Sequence, residues 1–460
     1  MANSYLSRTP SSTGNRKTFT FSAWVKRSKL LDNYPIIFKQ VTDASNFIQF
    51  YFDNQDQLAF YVENGSGSGY TSTQITNRKF RDVSAWYHVM VAVDTTQASA
   101  DNRVKIYVNG NQETSFSTNT QINQNIDVAA INTTGLIEIG RASNNSSQHF
   151  NGYMSHVALV DGQALAPTVF GETDSTSGIW KFKSPSGVTW GTNGFHLKFE
   201  NSGNLGLDSS GQTNNFTANG NLKQSLDTPS NVYNTLNPNY QSTHHSTSRA
   251  VLANGNTKWT ATTNNTSQNG ILSTLGASSG KWYLEAKWKG TYDASLGVAK
   301  EDFGMMTAGT GGLESAGWYG MNTNVSSTGG SGMAWYSNNS ATGDRGNTIS
   351  TNDIIMMAID LDNSKLYFGK NGTWEESGDP TSGATGTGAT STLASNTTYI
   401  VACGNYGYSY ANSWEFNFGN GFFGTTAITS AGSNGNGSLF EYDVPSGYYA
   451  LNTKNINTYG

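Results

Sequence analysis

Cysteine is almost absent from this chain of 460 residues, in which Cys403 is the only one. A single thiol excludes an intrachain disulfide framework and favours synthesis in a reducing cytoplasm. No run of about 18 apolar residues occurs, so the sequence predicts no transmembrane helix. The opening residues, Met1-Ala-Asn-Ser-Tyr5, have neither the basic region nor the apolar stretch of a secretion signal. We therefore expect a protein that is made inside a cell and does not insert into a membrane.

Charged residues are scarce as well. They make up 13% of the chain, against about 25% in an ordinary soluble domain. The formal net charge is −5, and no block of Lys and Arg occurs anywhere. Because binding to nucleic acid needs clustered positive charge to neutralise phosphates, nucleic acid is not an expected partner.

The residues that are abundant favour strands and turns. Glycine fills 51 positions and aromatic residues 12% of the chain. Short runs rich in β-branched and aromatic types recur, such as Phe19–Val25, Phe47–Phe52 and Val104–Val108, which is typical of strands. Asn109-Gly110 and Asn371-Gly372 follow such runs, as tight hairpins prefer. The sequence predicts an all-β protein without an amphipathic helix of ten residues or so.

The density of these runs divides the chain into four segments. Residues 1–172 form one dense series of predicted strands. Residues 173–250 are sparse and polar, which predicts an extended connector with room for one hairpin. A second dense series, richer in Trp, occupies 251–424. The tail, 425–460, is rich in Gly, Ser and Asn before an aromatic end, and we expect it to pack back on a domain.

The first segment resembles the laminin-G/concanavalin A-like jelly-roll family. The resemblance rests on five pieces that occur in the family's order over about 160 residues: Phe19–Val25, Ala85–Asp94, Lys105–Gly110, Ile137–Arg141 and Phe150–Val160. The second and third of these are the more specific, as a Trp-Tyr-His strand and a Tyr-Val-Asn-Gly hairpin. The resemblance implies an antiparallel, lectin-like β-sandwich that serves chiefly for binding.

The third segment resembles the SPRY family, another β-sandwich of binding modules. Its most distinctive part is the predicted hairpin formed by Asn352–Asp362 and Lys365–Gly372. The other pieces, in order, are Lys281–Lys287, Leu296–Phe303, Gly317–Gly320 and Trp414–Gly419. Together, the two resemblances imply two antiparallel β-sandwich, jelly-roll domains joined by the connector.

The connector and tail resemble a different group of sequences. Gly191–Phe199, Asp208–Phe216, Leu226–Asn231 and Pro445–Leu451 are similar to segments of virion surface proteins of marine tailed bacteriophages. In those proteins such segments accompany a concanavalin-like module, often followed by a SPRY module. The resemblance implies a protein made in the host cytoplasm and located on the virion surface.

Catalytic patterns are missing where they would be expected. Glycoside hydrolysis needs two carboxylates about 5–9.5 Å apart, and concanavalin-like glycosidases often carry them as Glu-x-Asp-x-x-Glu. Here Glu172-Thr-Asp174 meets Ser177 at the second Glu position. The pairs Glu301-Asp302 and Glu375-Glu376 lie at predicted turns, and no convincing Gly-x-Ser-x-Gly elbow occurs. We predict that the protein is not an enzyme and has no catalytic residues.

Metal ligands are equally sparse. The chain has no cysteine cluster, and no two of its histidines share a helix face. Calcium, which takes oxygen ligands from loops, is the more reasonable ion. Asp94 and Asp208 are weak candidate ligands, with Asp360-Leu-Asp362 as a further possibility on the SPRY hairpin. The alternative, that these carboxylates only serve turns, stays open. The six histidines are His88, His149, His156, His196, His244 and His245.

The tryptophans divide into two groups by their neighbours. Trp24, Trp86, Trp282 and Trp288 lie in predicted strands, where most should face a core. A second aromatic set adjoins Gly, Asn and Ser loops and is expected to line an exposed rim that binds a glycan or a protein partner: Trp318, Tyr319, Trp335, Tyr336 and Trp374. The alternative is that these rings fill grooves in the sandwich or form a contact between subunits.

These observations support three functional hypotheses. The first is a virion adhesin on a fibre, spike or appendage that binds a host cell-surface glycan or receptor through many weak contacts. The second is a capsid-decorating protein that binds mainly other virion proteins. The third is a depolymerase of envelope glycans. In the first two, the protein is expected to be present in many copies or as a homo-oligomer.

Overall fold

Strands dominate the fold: 45% of the computed structural model is strand and 6% is helix, which confirms the all-β prediction. No helix among the described residues is long and apolar enough to cross a membrane. The structure describes residues 4–65, 70–142, 148–241, 250–261, 270–291, 293–303, 313, 316–323, 332–338, 340–344, 346–405 and 412–460, with only the backbone at 70 and 341–344.

The chain forms two compact units. The first consists of residues 1–224 and 228–230, and the second of residues 225–227 and 231–460. Each unit has its own pair of large antiparallel sheets and its own apolar core.

Two sheets build the first unit. An eight-stranded sheet has the order β10-β6-β5-β4-β3-β11-β1-β16, and a six-stranded sheet has the order β15-β12-β2-β7-β8-β9, with β13 and β14 as a separate hairpin. The strands are β1 (Tyr5–Arg8), β2 (Thr18–Arg27), β3 (Ile36–Asp43), β4 (Asn46–Phe52), β5 (Gln57–Asn64), β6 (Tyr70–Lys79), β7 (Trp86–Asp94), β8 (Val104–Val108), β9 (Asn111–Gln112), β10 (Phe116–Thr120), β11 (Leu136–Ile139), β12 (Gly152–Asp161), β13 (Gly171–Thr173), β14 (Trp180–Phe182), β15 (Phe195–Leu197) and β16 (Thr217–Asn219). Short 3₁₀ helices cover Ala100–Asn102 and Pro167–Val169.

The first core lies between these sheets and follows the alternation of strand side chains. On β2, Phe19, Phe21 and Val25 point into it, and Phe21 packs 4.6 Å, centroid to centroid, from Phe38 of β3. Each fully buried side chain of this size stabilises the fold by about 1.5–3 kcal/mol. Since the core-facing residues recur every second position, the alternate residues of each strand must lie on an outer face.

Trp24 lies on such an outer face. It is buried, but it stacks on His88 at 5.1 Å, outside the core between the sheets. The hairpin β13–β14 packs on the same His88 ring, since Trp180 stacks on it at 6.0 Å. A side chain at Gly171 would come within 2.4 Å of the Trp180 indole. The structure thus corrects the predicted facing of Trp24, because the sequence period defines two faces of a strand without saying which face a neighbouring hairpin covers.

The segment predicted as a connector, 173–250, contains short strands that pair with strands of both units. β15 pairs with β12 in the first unit, and β16 pairs with β1, aligning Ala218 with Leu6. β17 (Leu236–Gln241) pairs instead with a strand of the second unit. These strands have only three to six residues, too few for a clear strand signal. They form because a strand that is distant in the sequence has an edge with which they can pair. The local sequence does not indicate such a pairing.

The second unit also has two large sheets. The first is seven-stranded, with the order β17-β20-β30-β22-β23-β24-β25, and the other has β18-β19-β31-β21-β26-β27-β28, with β29 beside β27 and β34 parallel to β21. The remaining strands are β18 (Val251–Ala253), β19 (Lys258–Thr260), β20 (Gly270–Ala277), β21 (Lys281–Trp288), β22 (Ala294–Lys300), β23 (Trp318–Asn322), β24 (Ala334–Ser337), β25 (Ser340–Asp344), β26 (Ile354–Asp360), β27 (Lys365–Lys370), β28 (Thr373–Trp374), β29 (Ser391–Thr392), β30 (Tyr399–Asn405), β31 (Ser413–Asn417), β32 (Phe422–Phe423), β33 (Thr426–Ala427) and β34 (Tyr449–Ala450). The helix α1 (Thr453–Tyr459) follows, and 3₁₀ turns cover Glu375–Ser377 and Pro380–Thr385.

Tryptophan fills much of the second core. Trp288 and Trp414 pack with ring centroids 4.7 Å apart, and Trp335 stacks on Phe368 at 5.5 Å. Trp282 and Trp288 face this core, as the sequence predicts. The core of the second unit is therefore filled by large rings, which leave little space for substitutions.

The C-terminal segment packs on the outer face of the nine-stranded sheet, where Phe440, Val444 and Tyr448 are buried against Tyr283. A buried carboxylate holds this contact. Glu285 accepts hydrogen bonds from the backbone N–H groups of Glu441 (2.9 Å) and Tyr442 (2.8 Å). It also accepts from the Tyr283 hydroxyl and the Asn417 amide.

Glu285 predicts a pH dependence of the second unit. Burial raises the pKa of Glu285 to about 7, although the four donors oppose the rise. Because the folded pKa lies above the unfolded value near 4.5, the contribution of this group to stability is complete below pH 4.5 or so and is lost as pH rises through about 7. We expect the free energy of unfolding to fall by up to about 3 kcal/mol over this range, relative to Glu285→Gln.

The measurement is urea unfolding of the wild type, Glu285→Gln and the exposed control Glu301→Gln at pH 4.5, 6 and 8. The wild type and the control should follow the same pH profile, and Glu285→Gln a flatter one. Identical profiles for all three proteins would contradict the assignment.

Candidate functional site

The predicted aromatic rim of the second unit is largely internal. Trp318 and Trp335 are 0% and 1% exposed, and Tyr319 is also buried. Trp318 and Tyr319 belong to β23, which lies between β22 and β24 in the seven-stranded sheet. A side chain at Gly320 would come within 2.8 Å of the Trp318 indole, so the glycine makes room for the ring. The expectation of an exposed rim at these three residues is therefore corrected.

The other two rim residues are partly buried. Tyr336 packs on Trp318, with ring centroids 5.2 Å apart. Trp374 packs edge-on against Tyr283 at 6.4 Å, beside the C-terminal segment. The structure does not bring the five rings together on one surface, because alternate residues of β23 and β24 face opposite sides of their sheet.

The two calcium candidates are engaged by the protein itself. Both carboxylate oxygens of Asp208 accept hydrogen bonds, from the backbone N–H groups of His196, Ser210 and Asn214 and from the Ser210 hydroxyl. Asp94 accepts from the Thr96 backbone and hydroxyl in a local turn. Throughout the described part of the chain, no three or more His, Cys, Asp or Glu residues are grouped to hold a metal ion. Calcium binding stays an untested prediction.

The described histidines lie in the first unit, whereas His244 and His245 lie outside the described residues. The rings of His156 and His196 are 5.6 Å apart, between Phe182 and Trp190. Burial lowers the pKa of His156 to about 3 and that of His196 to about 4. Both rings are therefore neutral at physiological pH.

A serine–histidine pair is the arrangement closest to a catalytic one. The Ser22 hydroxyl lies 2.8 Å from Nε2 of His88. However, Nε1–H of Trp180 donates to Nδ1 of His88 at 3.1 Å, so the proton of the neutral ring must sit on Nε2. His88 then donates to Ser22 and cannot act as its base. Burial lowers the pKa of His88 to about 3, which fits a structural role. The absence of catalysis itself stays a prediction.

A partly exposed aromatic stack crosses the outer face of the eight-stranded sheet in the first unit. The ammonium of Lys39 on β3 lies 4.7 Å from the centroid of the Phe47 ring on β4. The Phe47 ring stacks in turn on Tyr61 of β5, at 5.5 Å and 23°. Since Ile48, Phe50, Phe60 and Val62 fill the core, their strand neighbours Phe47 and Tyr61 must face outwards.

Hydrogen-bonding groups adjoin this stack. Glu63, two residues beyond Tyr61, accepts hydrogen bonds from the Tyr61 hydroxyl and from the Thr71 hydroxyl (3.1 Å). Burial, followed by the bond to Glu63, raises the pKa of Tyr61 to about 12, so its hydroxyl remains a donor. Gln49 lies opposite both Tyr61 and Lys39 in the strand register. We call Lys39, Phe47, Gln49, Tyr61, Glu63 and Thr71 the aromatic–polar patch.

The positive charge of the patch, the ammonium group of Lys39, is buried. Lys39 lies opposite Glu138 of β11, and it is only 2% exposed. Glu138 is also bound by the guanidinium of Arg141, through Nε at 3.0 Å and Nη2 at 2.7 Å. Arg141 packs over the Tyr5 ring. These contacts anchor the stack on one side, and Glu63 and Tyr61 lie on the more open side.

The sequence contained a signal for this patch. Phe47-Ile-Gln-Phe-Tyr-Phe52 is apolar at nearly every position, so it indicates a strand but not which rings are external. Gln49, as the polar residue of the run, marks the outer face, and Phe47 and Tyr51 share its parity. What the run could not indicate is that Tyr61 and Glu63 of the next strand lie beside it.

One family model matches part of this chain. Residues 2–169 match the family model described as "Concanavalin A-like lectin/glucanases superfamily". A comparison with curated proteins found no match.

Among solved structures, the chain is similar to a putative carbohydrate binding protein from Bacteroides ovatus, at 19% identity and a TM-score of 0.32 over 49% of this chain and 59% of that one. It is similar to the SPRY domain of human HERC1, at 13% identity and a TM-score of 0.28 over 39% of this chain and 96% of that one. It is also similar to a SAP-like pentraxin from Limulus polyphemus, at 15% and 0.29 over 41% and 82%. Likenesses at these TM-scores do not establish a shared fold. The part of this chain that is similar to concanavalin A-like lectins and glucanases is therefore residues 2–169, the part that contains the aromatic–polar patch.

Proposed function

We propose that this protein binds glycans, and that the aromatic–polar patch of its first unit is the binding site. The observation that carries the proposal is the juxtaposition of a partly exposed Phe47–Tyr61 stack with Glu63. A sugar offers apolar C–H faces that pack on an aromatic ring and hydroxyl groups that need hydrogen-bond partners. Within one face of a lectin-like sandwich, Tyr61 supplies the aromatic surface and Glu63 the hydrogen-bonding group, while Phe47 supports the Tyr61 ring.

The patch is held in place before any ligand arrives. The Tyr61 hydroxyl is tied to Glu63, and the Phe47 ring is packed between Tyr61 and the Lys39 ammonium. Rings that are already ordered lose little conformational entropy on binding, which favours affinity. A shallow site of this kind still gives weak single contacts, and repeated copies would supply the avidity.

In biological terms, we propose that the protein acts as an attachment component on a virion surface, present in many copies or as a homo-oligomer. The resemblance of the chain to phage virion proteins supports this context. The proposed partners are a host cell-surface glycan and neighbouring virion proteins.

The test is a Tyr61→Ala variant. Its partly exposed ring contributes modestly to the core, so the variant should fold, whereas loss of the stacking surface should weaken glycan binding by about tenfold, on the scale of one aromatic contact. The measurement is retention on immobilised host-envelope polysaccharide together with binding to a glycan array. Tyr153→Ala, a partly exposed tyrosine on the other sheet of the same unit, is the matched control.

Binding by Tyr61→Ala equal to that of the wild type would reject the patch as the site. On particles, slow adsorption of the Tyr61→Ala variant at full copy number supports attachment. Normal adsorption with fewer copies per particle would instead favour the decoration hypothesis. Release of reducing ends from the polysaccharide would favour the depolymerase hypothesis.

A further inference from the structure

Glu63 is the partly exposed carboxylate of the aromatic–polar patch, and only some of its hydrogen-bond acceptor sites are occupied. A carboxylate offers about four acceptor sites. The Tyr61 and Thr71 hydroxyls use the Oε2 atom of Glu63, while Oε1 takes part in no hydrogen bond within the described residues. Oε1 can therefore accept hydrogen bonds from a ligand.

The other charges around the patch leave its open side negative. Lys39 is only 2% exposed, and Glu138 lies opposite it in the strand register. Asp43, at the end of β3, is exposed and adds a second carboxylate. Arg78 and Lys79 lie at the far end of β6, seven or more residues from Thr71, which is about 23 Å along a strand.

We propose that the aromatic–polar patch selects neutral glycans over acidic ones and that Glu63 is the residue that sets this preference. The inference rests on the proposed function, since it names the ligand class of the same site. A neutral sugar can donate a hydroxyl to Oε1 of Glu63. A uronic or sialic acid in the same place would bring its carboxylate against that of Glu63, with no exposed cation on β3, β4 or β5 to offset it.

The size of the effect follows from Coulomb's law in a half-exposed site. Two like charges about 6 Å apart repel enough to lower affinity by about tenfold when the effective dielectric constant lies between that of water and that of a protein surface. Repulsion of this kind is screened by salt, with a Debye length of about 10 Å at 0.1 M and 3 Å at 1 M. The preference should therefore shrink as salt is added.

The experiment compares neutral polysaccharides with their own oxidised derivatives. Soluble mannan, galactan and amylose are each tested before and after conversion of the 6-hydroxymethyl groups to carboxylates, so the backbone and linkage stay the same. The full-length wild type should bind the neutral member of the pair it recognises about tenfold more tightly at 0.05 M salt, and the ratio should fall towards one at 1 M. Glu63→Gln should reduce the low-salt ratio to below about three, whereas the control Asp101→Asn, on an exposed turn, should leave it unchanged.

Equal binding of the neutral and oxidised forms by the wild type would overturn the inference but not the proposed function. A ratio that Glu63→Gln leaves intact would overturn the role of Glu63. Because the salt series uses only the wild type, it tests the preference even if Glu63→Gln folds poorly. A wild type that binds none of the polysaccharides, nor any glycan on an array, would remove the proposed function and the inference together.

Discussion

Replacing Asp56 with asparagine should lower the free energy of unfolding of the first unit by about 3–5 kcal/mol, the usual cost of breaking a buried ion pair from one side. Asp56 is fully buried, and its Oδ1 lies 2.9 Å from Nη2 of Arg27, which is itself 1% exposed. The same carboxylate accepts from the backbone N–H of Leu31 and from Nε of Arg81. Without it, the charge of Arg27 would remain buried and unpaired. Asparagine is chosen because Asp56 has φ 66°, which asparagine tolerates.

The double variant Arg27→Met/Asp56→Asn separates charge from packing. Because it leaves no unpaired buried charge at position 27, it should recover part of the stability lost in the single variant. Asp101→Asn, at an exposed turn, should change stability by less than about 0.5 kcal/mol. Urea unfolding followed by circular dichroism gives all three values. A cost below about 1 kcal/mol for Asp56→Asn would show that the pair does not hold this end of the sandwich.

Replacing Trp335 with alanine should destabilise the second unit by about 3–5 kcal/mol, as expected when a large ring is removed from a packed core. Trp335 is 1% exposed and stacks on Phe368 of the facing sheet. Its Nε1–H donates to Glu376 at 3.3 Å. This expectation reverses the one that follows from an exposed rim, where loss of the ring would leave folding nearly intact.

Trp374→Ala is the matched comparison, because Trp374 is a partly buried tryptophan from the same predicted rim. It should cost clearly less than Trp335→Ala. Urea unfolding monitored by circular dichroism at two wavelengths gives both values. If Trp335→Ala unfolds at the same urea concentration as the wild type, the ring is not a core residue and the rim hypothesis regains support.

Much of the fold could be predicted from the sequence because strand signals are local. The runs at Phe19–Val25, Val104–Val108 and Lys281–Lys287 all lie within strands of the structure. Asn109-Gly110 and Asn371-Gly372 both form turns with positive φ. Apolar alternation also indicated correctly that Trp282 and Trp288 face a core.

The candidate site was not predictable in the same way. The rim was predicted because Trp and Tyr lie next to glycine in the sequence, a pattern that is typical of exposed loops. In the structure, Gly320 instead leaves space for the Trp318 indole, which is buried in an apolar cluster with Leu272 and Phe303. Conversely, Phe47 and Tyr61 looked like ordinary strand residues, and their strand facing alone did not reveal the patch.

By itself, the sequence determined that this protein is all-β, where several of its longer strands lie, and which residues alternate on those strands, because these properties depend on neighbours along the chain. The tertiary structure alone decided which outer faces are covered and which are open. It placed Trp24 against His88 on an outer face, buried Trp318 and Trp335, and divided residues 173–250 between two units. It also brought Lys39, Phe47, Tyr61 and Glu63 from β3, β4 and β5 onto one face. These outcomes depend on strand pairing and on covering segments that are remote in the sequence, and no local pattern encodes them.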